Sequence, residues 1–342
     1  MDDRKLKILA AVVDEYIYTG EPVSSKAISN LSGMNVSPAT IRNDMAALEQ
    51  LGYLEQPHTS AGRIPTYNGY RLYIEKLMHI SPLSAEERHR LDDMLDMSVP
   101  TEEALLQSAS KALAELTQCA TVVANVSPQY SVITKVEVIP TGKRLYVLLL
   151  ITSSGSIKNK VCRLEFDLTD EQLQFFSSYM QENLQGVQLE NLSEEMMQSL
   201  MTAMGTYMMT LSPLLQAVCD LSKDLMEKEV VVSGEKNLLS CKEFDQHEII
   251  QFLEHKNELT QLLDESFSGI QVMFGEESKD FVIGNSSMIL SRFQKGQRPA
   301  GSLGVIGPMR LDYAKIIPYI EYFTQKISDI ISQEESEDQE NK

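Results

Sequence analysis

At 342 residues and 43% hydrophobic side chains, the chain exceeds the size that one core normally supports, so two or three domains are expected. Its longest apolar run, Leu145 to Ile151, is too short to cross a bilayer, and the N-terminus lacks the apolar block of an export signal. Cys119, Cys162, Cys219 and Cys241 form no C-x-x-C pair, which argues against a zinc module or a disulfide framework and for a cytoplasmic chain with reduced, buried thiols. The net charge of -19 opposes nucleic-acid binding until it is located along the chain. Residues 1–78 carry 8 Lys and Arg against 9 Asp and Glu, which leaves 22 against 40 for the remainder. The acidity belongs to the body and tail, and the first 78 residues are almost neutral.

The N-terminal elements run helix, helix, helix, hairpin. Leu6, Leu9, Val13, Tyr16 and Ile17 recur at helical spacing over 3–18, and Gly20 ends that helix. A short helix capped by Ser24 or Ser25 buries Ala27, Ile28 and Leu31. After a turn around Gly33, Ser37 is a good N-cap and Pro38 a favoured first residue for a third helix, whose buried stripe is Ile41, Met45, Leu48 and Leu51. Gly52 is placed to stop it in a left-handed conformation, and the polar run from Pro57 to Arg63 forms the tip of a wing. This order is that of a winged helix-turn-helix. A further helix over 67–78, followed by Ser81-Pro82, puts the end of this domain near residue 80.

Beyond it, helices are expected over 84–97 and 101–117, and strands over 121–126, 132–139, 145–152 and 158–166. More strands at 270–274, 281–283 and 302–306, with a last helix over 313–331, complete an α+β body made of residues 81–166 and 265–331. The acidic residues of 332–342 read as a disordered tail. Residues 167–264 read as an inserted, mainly helical domain. In it Met197, Met201, Met204, Met208, Leu211 and Leu215 follow alternating steps of four and three, the spacing of a helix-pairing seam, and Pro213 cuts the stripe into two helices. The stripe serves either as a dimer interface or as an intramolecular core.

Major-groove reading needs a helix with polar side chains that reach base edges, and Ser37, Thr40, Arg42 and Asn43 supply these. Arg suits guanine bidentately and Asn suits adenine, while hydroxyls contact bases or phosphates. The alternative is a solvated helix face on which Arg42 pairs with Glu49 or Asp44. In the wing, His58, Thr59, Ser60 and Arg63 suit backbone or minor-groove contact, although a plain surface hairpin carries similar residues. Catalysis is not expected, because the phosphate-loop, zincin and nucleophile-elbow motifs are absent from the sequence. No cofactor or metal is expected either, since His247 and His255 stand eight residues apart on one helix.

The run SPATIRNDMAALEQLGYLEQPHTSAGRIPT (37–66), the following YNGYRLY (67–73) and the distal GSLGVIGPMRLDY (301–313) closely resemble the HrcA family of bacterial heat-inducible transcription repressors. The resemblance implies a winged-helix DNA-binding domain, a GAF-like α/β domain and a dimerisation domain inserted into it. It implies a homodimer on double-stranded operator DNA, the inverted repeat CIRCE upstream of chaperone operons. It also implies that the chaperonin GroEL promotes the active state, and that heat-denatured proteins competing for GroEL relieve repression. By the family pattern Ser37, Thr40, Arg42 and Asn43 lie on the recognition helix, and His58, Thr59, Ser60 and Arg63 on the wing. The competing reading is a winged-helix regulator controlled by a small ligand in the GAF-like domain, with the apolar residues of 145–151 lining its pocket.

Overall fold

The structure is a computed structural model that describes residues 2–31, 36–58, 61–95, 102–125, 131–205, 210–226, 230–256, 259–264, 269–275 and 283–340. Helix α1 (Asp3–Thr19) starts where the Asp2 carboxylate accepts from the Arg4 amide and ends at Gly20, whose φ of 70° suits a residue without a Cβ. Ser24 caps α2 (Ser25–Leu31) by accepting from the Ala27 amide. Helix α3 (Pro38–Gln50) begins with Ser37 accepting from the Thr40 amide and Pro38 in the first turn. Gly52 follows it in the left-handed region at φ 78°, as the sequence predicts. Strand β1 (Leu54–Glu55) pairs antiparallel with β2 (Ile64–Pro65), and Val23 bridges Arg63 beside them. Ile8, Leu9, Val12, Val13, Ile28, Ile41, Met45, Leu48 and Leu54 close the core of this head. Leu51 does not join it: the helix has ended at Gln50, and Leu51 is 57% exposed.

Helix α4 (Tyr67–Leu72) passes into a π-turn at Tyr73–Leu77 and docks the head on the rest of the chain. Tyr70 is fully buried there, its ring 6.4 Å from Phe274 and 6.2 Å from Tyr313, and Tyr67 meets Phe274 edge-on at 5.2 Å. The helices α5 (Ala85–Met94), started by a Ser84–Glu87 capping box, and α6 (Glu102–Thr117) lead into β3 (Ala120–Asn125). Then come β4 (Ile133–Gly142), β5 (Leu145–Thr152), β6 (Ile157–Arg163), α7 (Asp170–Leu184), α8 (Glu194–Met204) and α9 (Ser212–Met226). The chain continues through β7 (Val230–Ser233), α10 (Glu235–Ser240), α11 (Gln246–Glu254), α12 (Leu259–Asp264), β8 (Ile270–Phe274), β9 (Ser286–Lys295), β10 (Arg298–Pro308) and α13 (Tyr313–Glu340).

Beyond the wing, the described strands form two separate sheets. An antiparallel sheet ordered β7-β3-β10-β9-β8 is the body, with α6 and α13 against one face and α10 to α12 against the other. Strands β4, β5 and β6 make their own sheet, whose core of Tyr146, Leu148, Leu150, Phe176, Met180, Leu214 and Val218 is shared with α7 to α9. The insertion therefore runs from β4 to α9 and is α+β, in place of a mainly helical 167–264. Residues 230–264 return to the body, where β7 pairs with β3. Burial gives the physical reason: β5 alternates buried and half-buried along its length because only one face is covered, whereas β10 is buried without a break from Gly301 to Gly307. Strand β9 escapes sequence reading because Ser286, Ser287 and Ser291 interrupt its apolar run, and the strand predicted at 281–283 lies largely outside the described residues. Beyond Ser332, α13 continues to Glu340 through strong helix formers, so the described part of the acidic tail is helical.

The distal glycine-rich run is a packing feature of β10, the strand held between β3 and β9. A Cβ at Gly304 would stand 2.4 Å from Leu290 Cδ2 and 2.7 Å from the Ile289 carbonyl oxygen. Gly304→Ala should therefore lower stability by about 1–3 kcal/mol, read as an earlier urea midpoint.

Candidate nucleic-acid interface

The head presents α3 with Pro38, Ala39, Arg42 and Asn43 of its first two turns open to solvent. Ser37 and Thr40 are committed to starting the helix: the Thr40 amide donates to Ser37 Oγ at 3.2 Å, and the two hydroxyls lie 2.9 Å apart. Arg42 and Asn43 are exposed and form no ion pair or side-chain hydrogen bond among the described residues. The two carboxylates that Arg42 could have used are taken by others. Arg4 Nε donates to Asp44 Oδ2 at 2.7 Å with Lys5 at 3.7 Å, and Arg63 holds Glu49. Asp44 is the site residue that sequence reading missed as a buried group; its partners lie 40 positions away on α1, and no local pattern connects them.

This clamp fixes the pitch of α3 against α1. The hydrogen bond from Arg4, followed by the Arg4 and Lys5 charges, holds the Asp44 carboxyl below its ordinary range against the opposing effect of burial. A depressed folded value means that the clamp stabilises above the ordinary aspartate value of 3.8 and fades as pH falls through the depressed one. Asp44→Asn should cost about 1–2 kcal/mol near neutral pH, the lower end applying because Arg4 is 44% exposed. The gap between variant and parent should narrow as pH falls below 3.8 in a series of urea midpoints.

In the wing, Arg63 Nε donates to Glu49 Oε2 at 2.9 Å, while the Arg63 backbone exchanges two hydrogen bonds with Val23. Arg63 thus stands at the wing's base with its charge balanced, tying the wing to the end of α3. Gln56 Nε2 donates to the Ala61 carbonyl across the loop. His58 is exposed, and Thr59 and Ser60 lie outside the described residues. Lys26 is exposed on α2, the helix that precedes α3, and has no ion pair among the described residues. Sequence reading passed over it, although its place in the helix before the recognition helix is the signal for a backbone contact.

Most of the described part of the methionine stripe is packed inside the chain's own core. Met197, Met204, Leu211 and Leu215 are buried against Leu200, Leu214 and the β5 side chains; Met201 is 40% exposed, and Met208 lies outside the described residues. Helical spacing identifies a buried face without saying what covers it, and here the unit's own sheet does. The uncovered apolar surface is the other face of that sheet. Ile139 pairs with Val147, Val147 with Val161, and Ile151 with Ile157, so their side chains share the side away from α7 to α9. Val161 is 63% and Ile157 59% exposed.

A capped helix presented beside a two-stranded wing and packed on two supporting helices defines a winged helix-turn-helix DNA-binding protein. Residues 2–77 match the family model described as the winged helix-turn-helix transcription repressor, HrcA DNA-binding, and residues 103–317 match the HrcA protein C-terminal domain. The chain belongs to the HrcA family of heat-inducible transcription repressors, a class without enzymatic activity. It is 32% identical over 336 residues to the heat-inducible transcription repressor HrcA of Acetivibrio thermocellus, covering 96% of each chain. It is 31% identical to that of Symbiobacterium thermophilum, covering 96% of this chain and 98% of the relative. A crystal structure of a hypothetical protein at 2.2 Å resolution is similar over 98% of this chain and 99% of its own, with a TM-score of 0.70 and 27% identity. Among the described residues, no helix is long and apolar enough to cross a membrane.

Proposed function

We propose that the chain represses chaperone operons by binding the inverted-repeat CIRCE operator as a homodimer. Arg42 and Asn43, open on the first turns of a capped recognition helix in a head that matches the family's DNA-binding domain, carry this reading. Those two side chains read base edges, Ser37 and Thr40 set the helix start against the phosphates, and Lys26 and His58 meet the backbone on either side, with Thr59 and Ser60, next to His58 in sequence, as further backbone contacts. Arg63 supports the wing by fixing its angle to α3. The five-stranded body is the GAF-like domain of the family pattern.

The outer face of β4, β5 and β6 receives the same face of a second copy. Its apolar centre of Val147, Val161 and Ile157 is flanked by the Lys135–Glu137 ion pair, so a two-fold arrangement sets each sign of charge near its opposite. A lone protomer with this face uncovered is the kind of species that chaperonins hold, which supports control by GroEL and loss of repression on heating. The test is a footprint of the purified protein on promoter DNA, with and without GroEL and before and after heating. Protection of both half-sites that is lost on heating and restored by GroEL is expected. Protection that ignores both treatments would overturn chaperonin control.

A further inference from the structure

A cavity of about 510 Å³ lies where the head meets the body. The head contributes Tyr16 of α1, Glu55 of β1 and Tyr67 and Tyr70 of α4, and the body contributes Glu243 and Arg310. This volume suits a small molecule. Tyr70 is 1% exposed, yet its hydroxyl has no hydrogen-bond partner. A buried hydroxyl left without a partner is costly and rare in a folded chain, so it marks a place where a partner belongs. Burial above all pushes its ionisation upward, and Tyr16, Glu243 and Arg310 lie within electrostatic reach of it; it remains a neutral donor. Arg310 Nε donates to Glu243 Oε1 at 2.5 Å, and among the described residues its terminal nitrogens have no acceptor. The guanidinium also rests against the end of α1, since a Cβ at Gly20 would stand 3.5 Å from Cζ.

We propose that this cavity binds a free amino acid, its carboxylate taken by Arg310 and the Tyr70 hydroxyl and its ammonium by Glu55 and Glu243. Arg310 and the Tyr70 hydroxyl are donors and Glu55 and Glu243 are carboxylates in the one lining, while three tyrosine rings offer surface for an apolar side chain. The charge balance selects a zwitterion. Two Glu against one Arg leave the walls net negative, and the acidic body repels simple anions further. An occupant bridges the wing base and the body, so it changes how α3 is held and adjusts operator affinity from outside the reading surface. This goes beyond the repressor reading and is independent of it as far as binding is concerned.

The test uses the full chain, with glycine, L-leucine and L-phenylalanine as probes and acetate and ethylamine as half-ligand controls, followed by thermal unfolding and by operator titration. At least one amino acid should give a saturable rise in the unfolding midpoint, equivalent to about 100-fold stabilisation at 100 times its Kd, and neither control should. Tyr70→Phe deletes only the unpartnered hydroxyl, so it should fold at least as stably as the parent while weakening the amino acid by about tenfold. Arg310→Lys, which keeps the charge and loses the fork, should weaken it as well. A response to no amino acid at about 10 mM, or an equal response in Tyr70→Phe and Arg310→Lys, would overturn the proposal. Operator binding without any probe reports on the repressor reading alone: its absence beside an intact amino-acid response would overturn that reading and leave this one.

Discussion

Arg42→Ala and Asn43→Ala should each reduce discrimination between operator and scrambled DNA by about 10- to 100-fold, in line with the roughly 1–3 kcal/mol carried by one good side-chain-to-base pair. Both side chains are exposed and make no side-chain bond among the described residues, so their removal leaves the fold and its unfolding midpoint unchanged. The recognition surface is free in a specific sense. Every neighbouring carboxylate on α3 is already neutralised, Asp44 by Arg4 and Lys5 and Glu49 by Arg63, so the Arg42 guanidinium meets no internal competitor when it approaches a guanine. Competition titrations with operator and scrambled duplexes at fixed salt measure the ratio. Variants that keep the parent's ratio would show that another surface reads the bases.

Val161→Asp should convert the proposed dimer to single chains and lower operator affinity by about 100-fold or more, because one head alone forfeits the effective concentration that a linked partner would supply. Val161 is 63% exposed in the single chain, so the change leaves the protomer's stability within about 0.5 kcal/mol of the parent. In a two-fold interface the new carboxylate is introduced twice and desolvated twice. Met204→Asp makes the contrasting case. That side chain is buried in the insertion's own core, so a charge there should unfold the unit by about 3 kcal/mol or more and not simply separate two folded copies. Sedimentation, read beside thermal unfolding, separates the two behaviours.

These two substitutions also mark what a sequence can and cannot reveal. The recognition helix was legible because its signals are local: Ser37 and Pro38 start it, Gly52 stops it, and both are satisfied within a few residues. The clamp on Asp44 was not, since a carboxylate in a helix reads as solvated until α1 is known to lie across it. The alternation of β5 announces a half-covered strand, but which strands join it depends on pairings that periodicity does not encode, so 132–166 reads as part of the body although β4 to β6 form a sheet of their own. The same limit applies to the methionine stripe. Steps of four and three identified Met197, Met204, Leu211 and Leu215 as one buried face, and only the fold assigns that face to the sheet of the same chain. The surface left for a partner is then the sheet's far side, whose polar and apolar residues alternate too mildly to stand out.

If one capped helix per chain reads half an operator and an apolar sheet face joins two chains to read the whole, a titration of the full-length protein against the intact inverted repeat and against a single half-site, at the same salt, will separate the two duplexes. Two protomers bound to the intact repeat, with an affinity about 100-fold or more above that for the half-site, is the expected result. Equal affinity for the two duplexes, or one protomer bound to each, would contradict it.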